Sequence, residues 1–296
     1  MRLLLITQAV DKQDSVMGFM HNWIKHFAQK FESIIVICLS KGEYDLPSNV
    51  KVLSLGKEEG VSKLTYIWRF YKYVFQEAKN YDRVFVHMNQ EYVLLAGDLW
   101  RLMGKKVYMW RNHPDGTWLT NIAVWLSNKV FCTSPQSYTA RFKKTVLMPV
   151  GVDTNFFKLD PDVVRTPNSI LMLGRIAPIK KNLEFVEWLN TEGAGFTATI
   201  AGGALPRDRE YEELVRAKAS DRVKFIGPVN QSEAVKLYQA HEFFVNKTPA
   251  GSFDKTILEA LASGCKLMVD NPAAQNLDVN KHSLNYLCER LVEELR

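Results

Sequence analysis

Short runs of aliphatic and β-branched residues recur along the start of the chain, RLLLIT, SIIVICLS and VKVLSL, each of strand length. Between the first two lies MGFMHNWIKHFAQKF, whose apolar positions repeat at helical spacing. Strand, helix, strand is the resulting grammar, and it continues through a helix over 65–79, RVFVHM, a helix over 93–103, KVYMW, a helix over 119–126 and KVFCTS. After VLMPVGVDTNFFKLDPD the alternation restarts with SILMLGRI, a helix over 183–189, FTATIAGG, a helix over 208–217, VKFIG and a helix over 232–239. It closes with FFVNK, a helix over 254–263, KLMVD and a helix over 283–295, the last carrying an apolar stripe of Leu284, Leu287, Leu291 and Leu295. Such alternation predicts parallel sheets covered by helices on both faces, an α/β class with two doubly wound, Rossmann-like domains. The join falls near 153–165, which gives an N-terminal domain over 1–157 and a C-terminal domain over 158–296.

Composition narrows this picture without changing it. With 296 residues, 47% hydrophobic and 24% charged, the chain can fill two ordinary cores and does not read as disordered. Cys38, Cys132, Cys265 and Cys288 lie far apart and form no CxxC pair, so neither a zinc cage nor a disulfide framework is expected, and reduced cytosolic thiols are. MRLLLIT reads as a first strand rather than a signal peptide, and no run of eighteen apolar residues predicts a spanning helix. The net charge of +6 is uneven: residues 1–157 hold 20 Lys and Arg against 13 Asp and Glu, residues 158–296 hold 18 against 19. A basic front half suits nucleic acid, an anionic membrane surface or a phosphorylated substrate, or is a set of solvated lysines.

Ligands of open parallel sheets sit at the carboxyl ends of strands, which directs attention to Gly18, His87, His113, Ser134, the stretch 174–180, Gly202, Gly203 and the segment AGSFDKTILEALASGCK. In LGRIAPIKKN, Arg175 and Lys180 follow the strand-ending Gly174 and precede a helix. A guanidinium fork, an ammonium and a helix N-terminus together suit a diphosphate; the alternative is a solvated basic turn. Glu259 sits in a helix that Asp254 caps and Gly264 ends, with Ile257, Leu258, Leu261 and Ala262 facing the core. Its carboxylate can accept two hydrogen bonds from the vicinal hydroxyls of a ribose, or else is an exposed surface charge. His113 clusters with Arg111, Asn112, Asp115 and Gly116. Asp160-Pro-Asp162 imitates a metal-binding DxD pair but contains proline in a linker where no strand ends, so no metal site is expected. In KLTYIWRFYKYVFQEAK, Leu64, Ile67, Trp68, Tyr71, Val74 and Phe75 are expected to form the core face. Tyr66, Phe70 and Tyr73 are then left for a neighbouring helix or a membrane surface.

These pieces together resemble the retaining glycosyltransferases of the GT-B fold, family 4. LGRIAPIKKN followed by GSFDKTILEALASGCKLMV is similar to their carboxyl-terminal domain, VGVDTNFF to their interdomain segment, and MGFMHNWIKHFAQKF, RVFVHMNQEYVLLAG and YMWRNHPDG to pieces of the amino-terminal domain. The similarity is collinear from residue 1 to about 270. It implies two Rossmann-like domains facing across a cleft, the first on the acceptor side and the second binding a nucleotide sugar. It further implies that Arg175 and Lys180 hold the donor diphosphate and neutralise the leaving group, that Glu259 binds the ribose, and that His113 borders the donor sugar and acceptor. Gly18 matches the loop where diphosphate and acceptor approach, and Gly174, Gly203, Ser252, Phe253, Asp254 and Lys255 complete the nucleotide-sugar pocket.

Two departures stand out. Where the family pattern has a first Glu, eight positions before Glu259, this chain has Gly251, and Ser252, Asp254 and Lys255 are the available substitutes. The segment after MVDNPAAQN is also short. The implied activity is transfer of a hexose, with retention, to a hydroxyl of a glycan or lipid-linked acceptor, in the cytoplasm, without cofactor or metal. No nucleic-acid partner is implied, and peripheral membrane contact through the basic first domain is. A nucleotide-sugar epimerase of the same fold and a non-catalytic nucleotide-binding protein are the alternatives.

Overall fold

A computed structural model describes residues 1–249, 254–271 and 277–296, which divide into two compact units. The first comprises Met1–Gly151 together with Leu284–Arg296, the second Val152–Ser283. This division differs from the expected join after residue 157, chiefly because the final helix belongs with the first unit.

In the first unit, β1 (Arg2–Val10), β2 (Ser33–Lys41), β3 (Val50–Ser54), β4 (Arg83–His87), β5 (Lys106–Trp110), β6 (Lys129–Cys132) and β7 (Thr145–Leu147) form one sheet. All pair in parallel, in the order β3-β2-β1-β4-β5-β6-β7. Helices α1 (Gly18–Ala28), α2 (Lys63–Gln76), α3 (Gln90–Leu102) and α4 (Trp118–Leu126) supply the crossovers. Leu3, Leu4, Leu5 and Ile6 of β1 are all fully buried, as a central parallel strand covered on both faces requires. Alternate residues enter opposite cores: Leu3 and Leu5 join Trp23, Phe27 and Phe85, whereas Leu4 and Ile6 join Phe70, Trp100 and Val124.

Two expectations need correction here. The three-residue β7 was not anticipated, being short and at the sheet edge, with Leu147 exposed. The core face of α2 is the expected one only for Tyr71 and Val74. Phe70 and Val74 are buried, with Tyr66, Tyr71 and Tyr73 packed against the same core, while Leu64, Ile67, Trp68 and Phe75 are exposed. This helix is apolar on both sides, so hydrophobic spacing alone does not choose between them. Hydrogen bonding draws Tyr73, from the side expected to be left over, to the core rim, where its hydroxyl donates to the Ser54 carbonyl at 3.2 Å, while Tyr71 donates to Leu95 at 2.7 Å.

The second unit has β8 (Thr166–Leu173), β9 (Thr197–Ala201), β10 (Val223–Gly227), β11 (His241–Asn246) and β12 (Lys266–Val269), again all parallel, in the order β10-β9-β8-β11-β12. Its helices are α5 (Asn182–Thr191), α6 (Arg209–Lys218), α7 (Gln231–Ala240) and α8 (Lys255–Ala262). Both sheets therefore have the doubly wound arrangement that the alternation of patterns predicts.

The last helix, α9 (Leu284–Leu295), buries its leucine stripe, Leu284, Leu287, Leu291 and Leu295, in the core of the first unit beside Trp23 and Phe27 of α1. Its carboxyl end is held by donors from the sheet: Arg83 Nε and the Tyr108 hydroxyl reach the Leu295 carbonyl at 2.9 and 3.1 Å, and Lys129 Nζ pairs with Glu294 at 2.8 Å. Cations at a helix carboxyl terminus oppose its negative pole. Gly151 is constrained by this docking. It has φ of +78°, its carbonyl accepts from Trp23 Nε1 at 3.1 Å, and an added Cβ would lie 2.4 Å from Leu287 Cδ2 and 2.8 Å from the Trp23 ring. Gly151→Ala is expected to cost about 2–4 kcal/mol through overpacking and backbone strain. Leu291→Ala should cost roughly 2–5 kcal/mol through the cavity left in a packed core. Denaturant unfolding of each variant checks both values, and an unchanged midpoint for Leu291→Ala would contradict the docking of α9.

Candidate functional site

At the carboxyl end of β8 the chain passes through Gly174 into Arg175, and two glycines decide how tightly it turns. Gly174 N donates to the Ala201 carbonyl at 2.9 Å, and Ile176 N to the Gly203 carbonyl at 3.2 Å, so the loops after β8 and β9 run against each other. A Cβ on Gly202, whose φ is +141°, would lie 1.9 Å from the Gly174 carbonyl oxygen, which no side chain permits. Gly203 has room for a Cβ, with Pro228 at 3.5 Å, so its contribution is the carbonyl that holds Ile176. Ile176 is buried and anchors the loop, and the buried Asn182 at the start of α5 accepts from Ala177 N at 3.1 Å. These anchors leave Arg175 exposed, with no hydrogen bond or ion pair among the described residues. Lys180, in the short turn before α5, keeps only 18% of its side-chain surface.

Lys180 Nζ forms a close ion pair with Asp254 Oδ2. The same carboxylate oxygen accepts from Asn246 Nδ2 at 2.9 Å and from the Thr248 hydroxyl at 3.3 Å. Asp254 stands at the N-cap position of α8, as expected, but its side chain makes no capping bond and is committed to this cluster instead. Gly174, Arg175, Lys180, Asn246, Lys247 and Thr248 line one hollow at the ends of β8 and β11. Asn246 and Thr248 were missed from sequence, although Asn246 ends β11 and Thr248 lies just beyond it, where the strand-end rule would have selected them.

Glu259 lies one turn into α8 and is only 7% exposed, not a surface charge. Its Oε2 accepts from the Tyr238 hydroxyl at 3.3 Å, and its Oε1 is 3.7 Å from Lys255 Nζ. Burial pushes the Glu259 carboxyl above the ordinary range, an effect that Lys255 and Tyr238 oppose, and burial pulls the Lys255 ammonium down. Tyr238 is itself fully buried against Phe157, ring centroids 6.0 Å apart, so the linker aromatic supports the tyrosine that orients the carboxylate. Around it Ile257 and Leu258 are buried, as expected, whereas Leu261 and Ala262 are only half-buried. Gly264, with φ of +85°, ends the helix, and Cys265 N donates back to the Ala260 carbonyl at 2.9 Å. Ser252 and Phe253, together with the position of Gly251, lie outside the described residues.

Two candidates belong to the first unit. Gly18 opens α1 and is buried, behind a turn in which Asp14 Oδ1 accepts from Val16 N and Met17 N at 2.8 and 2.7 Å. His113 is exposed after β5, its Nδ1 3.0 Å from both the amide nitrogen and the carbonyl oxygen of Asp115, while Arg111 Nη2 donates to that carbonyl at 2.7 Å. Within the second unit the structure thus brings together Gly174, Arg175, Lys180, Gly203 and Asp254, with the Lys255–Glu259 pair in the same helix that Asp254 opens.

Residues 167–290 match the family described as Glycosyl transferases group 1. This part of the chain is therefore similar to the domain that the family model describes. No curated protein matches the chain. Among solved structures, HepE from Anabaena, in complex with UDP and glucose, superposes with a TM-score of 0.70 at 17% identity, covering 100% of this chain and 95% of that one. Sucrose-phosphate synthase from Thermosynechococcus elongatus gives 0.69 at 15% identity, covering 100% and 91%. A glycosyltransferase from Rickettsia africae gives 0.67 at 16%, covering 98% and 97%. At such identities the likeness shows the fold, which is GT-B with two Rossmann-like units. Arg175, Lys180, Asp254 and Glu259 lie inside the matched segment.

The raised Glu259 carboxyl makes apo stability depend on pH. A group whose folded pKa exceeds its unfolded value contributes stability that is fully present below the unfolded value, about 4.3, and is lost as pH rises through the folded one. Glu259→Gln does not titrate, so its melting temperature relative to the native chain should climb between about pH 4 and pH 7. Thermal melts across that range would contradict the burial reading if the difference were flat or falling.

Proposed function

We propose that the chain transfers a hexose from a nucleotide-diphosphate sugar to a hydroxyl of a glycan or lipid-linked acceptor. The reading is carried by one observation: an exposed arginine and a half-buried lysine converge at a strand–helix junction inside the segment that matches the group 1 glycosyltransferases. Two cations near the N-terminus of α5 favour a diphosphate. HepE was solved in complexes with UDP and with UDP-glucose, which supports UDP as the nucleotide to try first.

Cleavage of the glycosyl–phosphate bond puts negative charge on the departing phosphate and cationic character on the sugar. Arg175 and Lys180 stabilise the first of these charges, and more strongly in the transition state than in the ground state. The donor sugar needs no cofactor beside it. Lys180 swings from Asp254 to the phosphate, and Asp254, still held by Asn246 and Thr248, is free to accept hydroxyls of the donor sugar. That gives Asp254 the part that the family resemblance assigns to a glutamate at the position of Gly251. Glu259 takes the ribose hydroxyls, oriented by Tyr238. The family resemblance assigns His113 to the sugar and acceptor and Gly18 to the loop near the diphosphate. The acceptor hydroxyl attacks from the leaving group's own face, its proton passing to the departing phosphate oxygen, which gives retention, as the resemblance implies.

A panel of nucleotide sugars read by thermal shift tests the reading, since a ligand that binds only the folded chain raises its melting temperature. UDP or another nucleoside diphosphate should produce a shift, and acceptor-dependent release of that nucleotide should follow. Arg175→Ala should lower kcat by about 10²–10³, the loss typical of one charge-stabilising donor, and leave the unliganded melting point unchanged. Full activity in Arg175→Ala would refute the assignment, and interconversion of free nucleotide sugars with no acceptor present would indicate an epimerase.

A further inference from the structure

Strand β3 ends the first sheet, with β2 on one side and no strand on the other among the described residues. Helix α2 lies along it, and two hollows open in the seam between them. One, of about 320 Å³, is lined by Leu53 and Ser54 of β3, Lys41 at the end of β2, and Trp68, Arg69 and Lys72 of α2. The other, of about 330 Å³, is lined by Lys51 of β3, Arg2, and Glu77 and Asn80 just beyond α2. Each volume is that of a small-molecule site. Lys51 and Leu53, two apart, share one face of the strand, and Trp68 and Glu77 are nine residues, or about 14 Å, apart along the helix. The hollows therefore follow one another as a single groove, long enough for a short oligomer.

The end of the groove at Trp68 carries surplus positive charge: Lys41, Arg69 and Lys72 line it against one carboxylate, Glu59. Arg69 is held in place, its Nη2 donating to Glu59 at 2.7 Å and its Nη1 to the Leu55 carbonyl at 3.4 Å. Gly56, with φ of +99°, leaves the space this guanidinium occupies, since a Cβ there would lie 2.2 Å from Arg69 Nη1. Lys41 and Lys72 are exposed and have no ion pair among the described residues. Lys72 Nζ stands over the Trp68 ring at 5.0 Å, and that indole is 61% exposed. At the other end the charges are matched: Glu77, 3% exposed, accepts from Lys51 Nζ at 2.7 Å and from Asn80 Nδ2 at 2.9 Å.

We propose that the groove between β3 and α2 binds an acidic oligosaccharide, with its anionic unit at Trp68 and Lys72 and a further unit beside Glu77. An indole takes the apolar C–H face of a sugar ring, and the surplus cations take a carboxylate or sulfate. The carboxylates of Glu59 and Glu77 accept sugar hydroxyls. Those two carboxylates count against nucleic acid, whose phosphates they would repel and whose bases would find a single exposed aromatic ring, Trp68, among the lining residues. Addition of a peptide strand to β3 is the weaker alternative, because the Tyr73 hydroxyl already occupies the Ser54 carbonyl at 3.2 Å. The inference is independent of the proposed transfer, since the groove lies outside the matched residues 167–290.

Calorimetric titration of the full chain with hexagalacturonate, a heparin hexasaccharide and uncharged maltohexaose tests it. An acidic hexasaccharide is expected to bind and maltohexaose is not, and the binding should weaken as salt is raised. Trp68→Ala and Lys72→Glu should each weaken it roughly tenfold or more, with melting temperatures unchanged because both side chains are exposed. Lys143→Glu, the same charge change at an exposed position outside the groove, should leave it unchanged. Failure of both acidic probes to bind would overturn the proposal. So would equal binding of maltohexaose, or an equal loss in Lys143→Glu, the latter showing attraction by net charge alone. Tighter binding of oligothymidylate that Lys72→Glu abolishes would overturn it in favour of nucleic acid.

Discussion

The ion pair between Lys180 and Asp254 joins residues 74 apart in the chain and holds together the two edges of the candidate donor site. For it to form, the loop after β8 must turn sharply enough to bring Lys180 back over the end of its strand, and α8 must begin level with it. The first condition is met by backbone contact between Gly174 and Gly202, where no side chain fits, and by Asn182 locking the loop from within. The second is met by Asn246 and Thr248, which fix the Asp254 carboxylate from β11. An ion pair of this kind, only partly exposed, is a reserve of positive charge kept close to neutral until an anion competes for the lysine.

Behind that pair, Glu259 is a buried carboxylate whose position depends on packing more than on charge. Phe157 supports Tyr238, Tyr238 donates to Glu259, and Lys255 supplies the opposing charge one turn earlier on the same helix. The linker aromatic, α7 and α8 thus act on one carboxyl group. Burial works against its ionised form, so a ligand that hydrogen-bonds to the carboxylate offsets a cost the folded chain already bears.

Most of the architecture was legible in the alternation of apolar runs, because strands buried on both faces leave continuous hydrophobic stretches such as RLLLIT and helices do not. Arg175, Lys180 and Glu259 were legible too, as charges placed immediately after strands or inside an apolar helix. Less could be read where two solutions satisfy the same pattern. The two-sided apolarity of α2 hid part of its core face, to which Tyr73 is drawn by a partner from another part of the chain. The leucine stripe of α9 predicted a buried helix but carried no information about which unit would bury it. Asp254 read as a helix cap because position, not partner, is what a sequence displays, and its commitment to Lys180 depends on contacts between distant segments.

A crystal structure with UDP bound addresses the central claim most directly. The account predicts phosphate oxygens within hydrogen-bond distance of both the Arg175 guanidinium and Lys180 Nζ, with the lysine turned away from Asp254 and the ribose against Glu259. Nucleotide bound elsewhere, with the Lys180–Asp254 pair intact and Arg175 still in solvent, would contradict it.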